Sequence, residues 1–516
     1  MKFTLNVADT AVTLAGDETI LIDDTGTEVS ATELTITHTL GKCGYYRHGW
    51  NSWSPTAWWH LGRAPWRVWN KPERTATAED ATTDTDAVHR SYMVTALDIG
   101  GGRCLLIGSL ERDTAVFDLT EATILGRDID AVNGGGKATK IHRYFIIAGE
   151  ECRCFAEYAR RLARELEAQP RPACAVWSSW YSYFEEVTAA DIESEIGAAR
   201  DAGFDVLQID DGWERAVGDW YAGKDFPDGM EAMARRIRQA GMTPGLWVSP
   251  FIALDSAPVV REHPEYFIGD TDGRPAVVGY NWGQPYFGID TTHPGALQWV
   301  RDTIREVVGW GYGYLKLDFL YAAAFAGCRH SDCGREAAYR LGIEAVREAA
   351  GEDVYIVGSG AVVAPTLGVF DAIRVGPDTA PYWDVSDRDR DPSGPGLRNA
   401  LRNSVARLWL RPVVGVDPDV AFGRSRRTLL PPEASRASVD MAFAAGVLSF
   451  SDPQSWIDVE EKAQLAAIIA EYHDLGRRGV EVRQTGRYTV EIGGRMVDFE
   501  PWINPVGRVS DQLLVK

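Results

Sequence analysis

Between residues 170 and 455 short apolar segments alternate with amphipathic helical ones, and this rhythm limits the possible folds more than any other feature of the chain. The apolar segments are Ala175-Val-Trp-Ser-Ser-Trp, Val206-Leu-Gln-Ile-Asp, Thr243-Pro-Gly-Leu-Trp-Val-Ser, Tyr312-Gly-Tyr-Leu-Lys-Leu-Asp, Val354-Tyr-Ile-Val-Gly-Ser, Ala372-Ile-Arg-Val-Gly, Pro412-Val-Val-Gly-Val-Asp and Gly446-Val-Leu-Ser-Phe-Ser-Asp. Near-continuous apolar runs of this length suit parallel strands buried on both faces. Eight such units in succession predict a (β/α)8 barrel. A doubly wound sheet is the alternative; polar residues gathered at the C-terminal strand ends favour the barrel.

The flanks read differently. Residues 1–165 carry short alternating runs, among them Glu33-Leu-Thr-Ile-Thr-His and Tyr92-Met-Val-Thr-Ala-Leu-Asp-Ile, separated by glycine-rich turns. That pattern predicts an antiparallel β-sandwich. A helix over about 154–168 leads to Pro170-Arg-Pro172, a natural boundary. Residues 456–516 are expected to form a C-terminal helix and a small β-domain, with Arg487-Tyr-Thr-Val-Glu-Ile as one strand.

At 516 residues the chain is long enough for two or three domains. Its net charge of −21 makes nucleic acid and anionic membrane surfaces poor partners. No segment has the length of a membrane span, and the N-terminus lacks an apolar signal core, so cytoplasmic residence is expected. Seven cysteines form no regular framework, which fits reduced thiols, and none has partners at zinc spacing. We therefore expect no metal held by these cysteines.

Catalytic groups of a barrel sit at the C-terminal ends of its strands. Those ends offer Trp180 and Tyr181, Asp210 and Asp211, Trp247, Lys316 and Asp318, Ser359, Arg374 and Asp378, Asp417 and Asp452. The histidines lie elsewhere, which argues against metal-assisted hydrolysis. Paired carboxylates beside tryptophan faces are what glycoside chemistry needs: one carboxyl protonates the leaving oxygen while the other attacks the anomeric carbon or activates water. Each residue also has a plainer reading. Trp180, Trp213 and Trp247 could be core aromatics, Asp210-Asp211-Gly212 a turn, Lys316–Asp318 a structural ion pair, and Arg374–Asp378 a loop salt bridge. The site reading fails only if several of these hold at once.

Five ordered motifs carry a more specific likeness: Trp177-Ser-Ser-Trp-Tyr-Ser-Tyr-Phe, Gln208-Ile-Asp-Asp-Gly-Trp, Pro244-Gly-Leu-Trp-Val-Ser-Pro-Phe, Tyr314-Leu-Lys-Leu-Asp-Phe and Arg374-Val-Gly-Pro-Asp-Thr-Ala-Pro. Together they resemble glycoside hydrolase family 36, the retaining α-galactosidases, and above all its compact bacterial and archaeal members. The segment Trp50-Asn-Ser-Trp-Ser-Pro resembles a sandwich segment that reaches into that family's active site. The resemblance implies Asp318 as nucleophile and Asp378 as general acid and then base. It implies Asp210 and Asp211 on the sugar's O4 and O6 hydroxyls, Lys316 beside the nucleophile and Arg374 on the sugar or the acid. Trp247, Trp180 and Trp53 would form pocket walls, with Tyr181 beside them. The implied partner is a small α-galactoside, with no cofactor; a homo-oligomer is compatible with the sequence, which does not determine one.

Ser359 departs from the family pattern, which often has cysteine near the sugar's C2 side. This leaves 2-acetamido substrates open, and so α-N-acetylgalactosaminidase activity. A raffinose-synthase-like transglycosidase would share the same site. A non-catalytic carbohydrate-binding protein on this scaffold would be expected to lack a catalytic carboxylate, and both are present.

Overall fold

A computed structural model describes residues 3–7, 10–14, 25–66, 88–134, 140–388, 391–504 and 514–515. Its centre is an all-parallel sheet of eight strands: β1 (Ala175–Ser178), β2 (Val206–Ile209), β3 (Thr243–Val248), β4 (Tyr314–Leu317), β5 (Tyr355–Gly358), β6 (Ala372–Arg374), β7 (Gly415–Asp417) and β8 (Leu448–Phe450). Strands β1 to β7 pair in sequence order, and β1 also pairs with β8. Parallel bridges Val416–Gly446 and Ala421–Phe450 connect β7 to the β8 region, giving a near-closed barrel. The sequence rhythm is thus followed strand for strand, although β7 and β8 are shorter than the apolar runs that predicted them.

Helices follow the strands as amphipathic spacing requires. Ala189–Ala202 begins at a Thr188/Asp191 capping box and ends at the left-handed Gly203. The unit after β5 is the exception, with only a single short turn, Val363–Thr366. The N-terminal domain docks there: Asn51 bridges Val362, and Ser52 N donates to Ala361 O at 2.8 Å. After β8, Val459–Arg477 starts at an Asp458/Glu461 capping box and packs on Ala189–Ala202, so it completes the last βα unit of the barrel.

Among the described residues, the N-terminal region contains two antiparallel six-stranded sheets. Ile36, Phe117 and Ile124 from one meet Leu97, Leu105, Ile107 and Ile146 from the other in a shared apolar core. The run Tyr92 to Ile99, expected as a single strand, breaks at Met93, whose φ is 68°. This kink sends His89–Tyr92 to one sheet and Val94–Gly100 to the other. The following helix, Glu151–Glu165, starts earlier than expected because Glu150 accepts hydrogen bonds from the amides of Cys152 and Arg153. A three-stranded antiparallel sheet, Val482–Gln484, Thr489–Ile492 and Arg495–Asp498, lies near the C-terminus. Arg487 ties it to the N-terminal region through Glu151 and Asp98. All seven cysteines are free. Among the described residues, no helix is long and apolar enough to cross a membrane.

Candidate active site

Strand β4 carries Lys316 and ends at Leu317, so Asp318 follows on the same face just before Phe319, whose φ of 53° is left-handed. This turn brings the Phe319 amide back onto Asp318 Oδ1 at 2.9 Å. Trp247, on β3, donates its indole Nε1 to Asp318 Oδ2 at 3.1 Å. Both carboxylate oxygens of this buried residue are therefore held. Burial pushes the Asp318 pKa up, and the Asp378 charge adds to that; Lys316 and the hydrogen bonds from Trp247 and Ser359 oppose it.

The direct ion-pair partner of Lys316 is Asp210, not the neighbouring Asp318 that sequence spacing suggests. Lys316 Nζ lies 2.8 Å from Asp210 Oδ2, because β2 and β4 flank β3 and both project their polar ends over it. Burial works against the lysine charge, but Asp210 and then Asp318 outweigh it and raise its pKa. Gln208 Nε2 also donates to Asp210 Oδ2, at 2.6 Å. The next residue, Asp211, accepts Trp282 Nε1 at 2.9 Å and touches the Glu214 carboxyl. Burial, reinforced by Glu214 and Asp210, pushes Asp211 up to about 10, so the Asp211–Glu214 pair keeps a proton. Gly212 makes this turn possible: its φ is +112°, and a Cβ there would lie 2.6 Å from Glu185 O.

At the end of β6, Arg374 is almost fully buried and its Nη2 lies 3.0 Å from Asp378 Oδ1. The same nitrogen lies 3.0 Å from Asp419 Oδ2. Asp419 also accepts the Thr379 amide at 2.8 Å and the Tyr181 hydroxyl. Asp378 differs from Asp318 in exposure, with 42% of its side chain open.

The N-terminal domain supplies the remaining wall. Trp53 Nε1 donates to Ser359 Oγ at 3.2 Å, and its ring meets Phe319 edge-on. Trp247, Trp282, Phe319 and Trp53 form a continuous arc of ring contacts beside Asp318. Gly360 leaves room for this arc, since a Cβ there would lie 3.2 Å from Trp53. Arg407, fully buried, holds the segment down: it donates to the carbonyls of Ser52 and Asn51 at 2.7 and 2.9 Å, to Gly49 at 3.1 Å and to Val375 at 3.0 Å. Trp50 anchors its other end on Glu336 at 2.8 Å.

The structure thus gathers Asp210, Asp211, Trp247, Lys316, Asp318, Ser359, Arg374, Asp378, Tyr181 and Trp53 around one barrel mouth. Trp180 is half-buried on the short helix after β1, with its ring against Phe184. Trp213 is a core aromatic, buried and donating to Trp247 O at 2.9 Å. Asp452 is a structural residue: Arg424 and the Gly423 amide occupy its two oxygens, each at 2.7 Å. Sequence reading missed Asp419, Glu214 and Trp282. Among the described residues, no group of three His, Cys, Asp or Glu side chains is placed to hold a metal ion.

The Melibiase family model matches residues 149–349. The structure of TtGalA, an α-galactosidase from Thermus thermophilus in complex with p-nitrophenyl α-D-galactopyranoside, superposes with a TM-score of 0.85 at 37% identity, covering 97% of this chain and 100% of that one. Among curated sequences, α-galactosidase AgaA of Geobacillus stearothermophilus is 26% identical over 161 residues, covering 29% of this chain and 21% of AgaA. The A type blood α-D-galactosamine galactosaminidase of Flavonifractor plautii is 30% identical over 155 residues, covering 28% of this chain and 14% of that protein. Over most of its length, and with the motif-bearing strands in order around one mouth, the chain belongs to glycoside hydrolase family 36.

Proposed function

We propose that the chain is a retaining exo-α-galactosidase, with Asp318 as nucleophile and Asp378 as acid/base. The observation that carries this reading is the contrast between the two carboxyls: Asp318 is buried with both oxygens held, and Asp378 stands half-open on Arg374. Their charges interact directly. A nucleophile must be fixed and ionised, whereas an acid/base group must exchange its proton with the leaving group and then with water.

In the first step an Asp318 oxygen attacks the anomeric carbon, the bond to the aglycone oxygen breaks, and the Asp378 proton passes to that oxygen. In the second, water attacks the same carbon, Asp378 takes its proton, and the Asp318 ester is released with net retention. Lys316 supports the ionised nucleophile by its charge. Asp210 and the protonated Asp211–Glu214 pair present acceptors and a donor for ring hydroxyls. The aromatic arc closes one side of the pocket and favours a terminal sugar. Trp53 reaches this pocket from the same chain.

The Thermus thermophilus relative has been solved with p-nitrophenyl α-D-galactopyranoside and with stachyose, which supports α-galactosides as the substrate class. A panel of aryl α-glycosides tests it. Turnover of the galactoside is expected to exceed that of the glucoside and the 2-acetamido-galactoside; preference for the 2-acetamido sugar would contradict the glycone assignment. NMR of the first product is expected to show α-galactose, and β-galactose would exclude retention.

A further inference from the structure

Asp419 belongs to no strand, yet it organises one side of the mouth. It follows β7 in Asp417-Pro-Asp419, is buried, and has a φ of 77°, a left-handed conformation rare outside glycine. Its amide donates to Asp417 Oδ1 at 2.9 Å, which helps fix this turn. Its own Oδ2 then collects the Thr379 amide, the Tyr181 hydroxyl and Arg374 Nη2. Asp419 thereby grips both the backbone residue next to Asp378 and the cation that Asp378 rests on.

This arrangement resolves a conflict. A guanidinium 3.0 Å from a carboxyl favours its ionised form. A general acid must instead hold a proton when substrate arrives. With a second carboxylate at equal distance on the same nitrogen, the cation is shared. We propose that Asp419 is a positioning residue that neutralises and orients Arg374, so that Arg374 holds Asp378 in place without locking it as a carboxylate. The proposal rests on Asp378 being the acid/base.

The groups facing this cluster are consistent with it. Asp419 is surrounded by Arg374, Tyr181, Asp378, Asp417 and Lys316. Asp378 faces Arg374, Asp419, Tyr181 and Asp318. Burial pushes Asp419 up to about 6, against the pull of Arg374.

Asp419→Asn keeps the size and an oxygen acceptor but removes the charge. On raffinose, whose leaving group needs protonation, kcat/KM is expected to fall about 100-fold. On a dinitrophenyl α-galactoside, which needs little acid assistance, the loss is expected to stay under about 5-fold. The basic limb of the kcat/KM profile on raffinose should move to lower pH. Equal losses on both substrates with an unmoved limb would show a merely structural residue and overturn the proposal. If Asp419→Asn does not fold, the double variant Asp419→Asn/Arg374→Gln removes both members of the buried pair: its basic limb should stay close to the wild-type position because the two charges offset each other at Asp378, and a limb clearly displaced in either direction overturns the proposal. Asp378→Ala separates the two levels of the argument. If it shows no split between the substrates, the acid/base assignment fails. If it shows a split that Asp419→Asn lacks, the Asp419 proposal alone fails.

Discussion

The ends of β4 and β6 each present a carboxylate to the same pocket, in opposite surroundings. Asp318 lies below the surface with an indole N–H on one oxygen and a backbone amide on the other. Asp378 is nearly half exposed, and its described hydrogen-bond donor is Arg374, which it shares with Asp419. Both strands end in charged residues, so strand position alone does not set the roles. The difference comes from what flanks each strand: β3 and the Trp53 segment close over Asp318, whereas the loop after β6 leaves Asp378 open to water.

Substitutions at the two ends should therefore separate by substrate. Asp318→Ala removes a group that no other can replace, and kcat is expected to fall by about four orders of magnitude or more on activated and unactivated galactosides alike. A clear difference between the two substrate types would erase the contrast. Asp378→Ala is expected to cost about 10²–10⁴ on raffinose and far less on a dinitrophenyl galactoside. Added azide should restore turnover of the activated substrate and yield the α-galactosyl azide, because the small anion attacks the Asp318 ester from the open side that water otherwise uses.

A smaller effect tests why the β4 side is closed. Arg407→Met leaves several buried carbonyls of the 49–52 segment without a donor, at roughly 1–3 kcal/mol for each unsatisfied group. A lower thermal midpoint, with KM raised through a loosened Trp53, is expected; an unchanged KM would show that the segment is only a lid support. Ser359→Ala is milder. The Ser359 hydrogen bond lowers the Asp318 pKa, so its loss raises that pKa further and moves the acidic limb of kcat/KM to higher pH. The basic limb, which belongs to the β6 side, should not follow.

The smallest effect concerns stability. Asp211 has a folded pKa of about 10, raised above its unfolded value near 3.8. Its folded form thus keeps a proton that the unfolded chain loses, and stability falls as pH rises between those values. Glu214→Gln removes the like charge beside it and should raise the melting temperature by about 2 °C at pH 9, and by less at pH 5. An equal gain at both pH values would rule out a shared proton.

Much of this was legible in the chain. Strands alternating with helices showed the barrel, and its C-terminal ends showed Asp210, Asp211, Lys316, Asp318, Arg374 and Asp378. What spacing could not show was which charges pair across strands. Lys316 and Asp318 share a face of one strand, but the lysine tip reaches Asp210 because parallel strands bring residues 106 positions apart into register. Asp419 was hidden for the same reason: Asp-Pro-Asp reads as a turn, and its partner Tyr181 is 238 residues away. Trp282 sits at a hairpin tip, Val277–Asn281 to Gln284–Gly288, 71 residues from the Asp211 it contacts. Its Trp-Gly pair signals a turn but not where the turn points. Met93 broke an alternating run that looked continuous, since alternation records burial and not a change of sheet.

The most direct test of the central claim, that Asp318 is the nucleophile, is to trap the intermediate. Asp378→Ala turned over on a dinitrophenyl α-galactoside should accumulate a covalent galactosyl-enzyme, because the second step lacks its base. Acid quench, proteolysis and tandem mass spectrometry are predicted to place the sugar on the carboxyl of Asp318. A sugar found on any other residue would contradict the account.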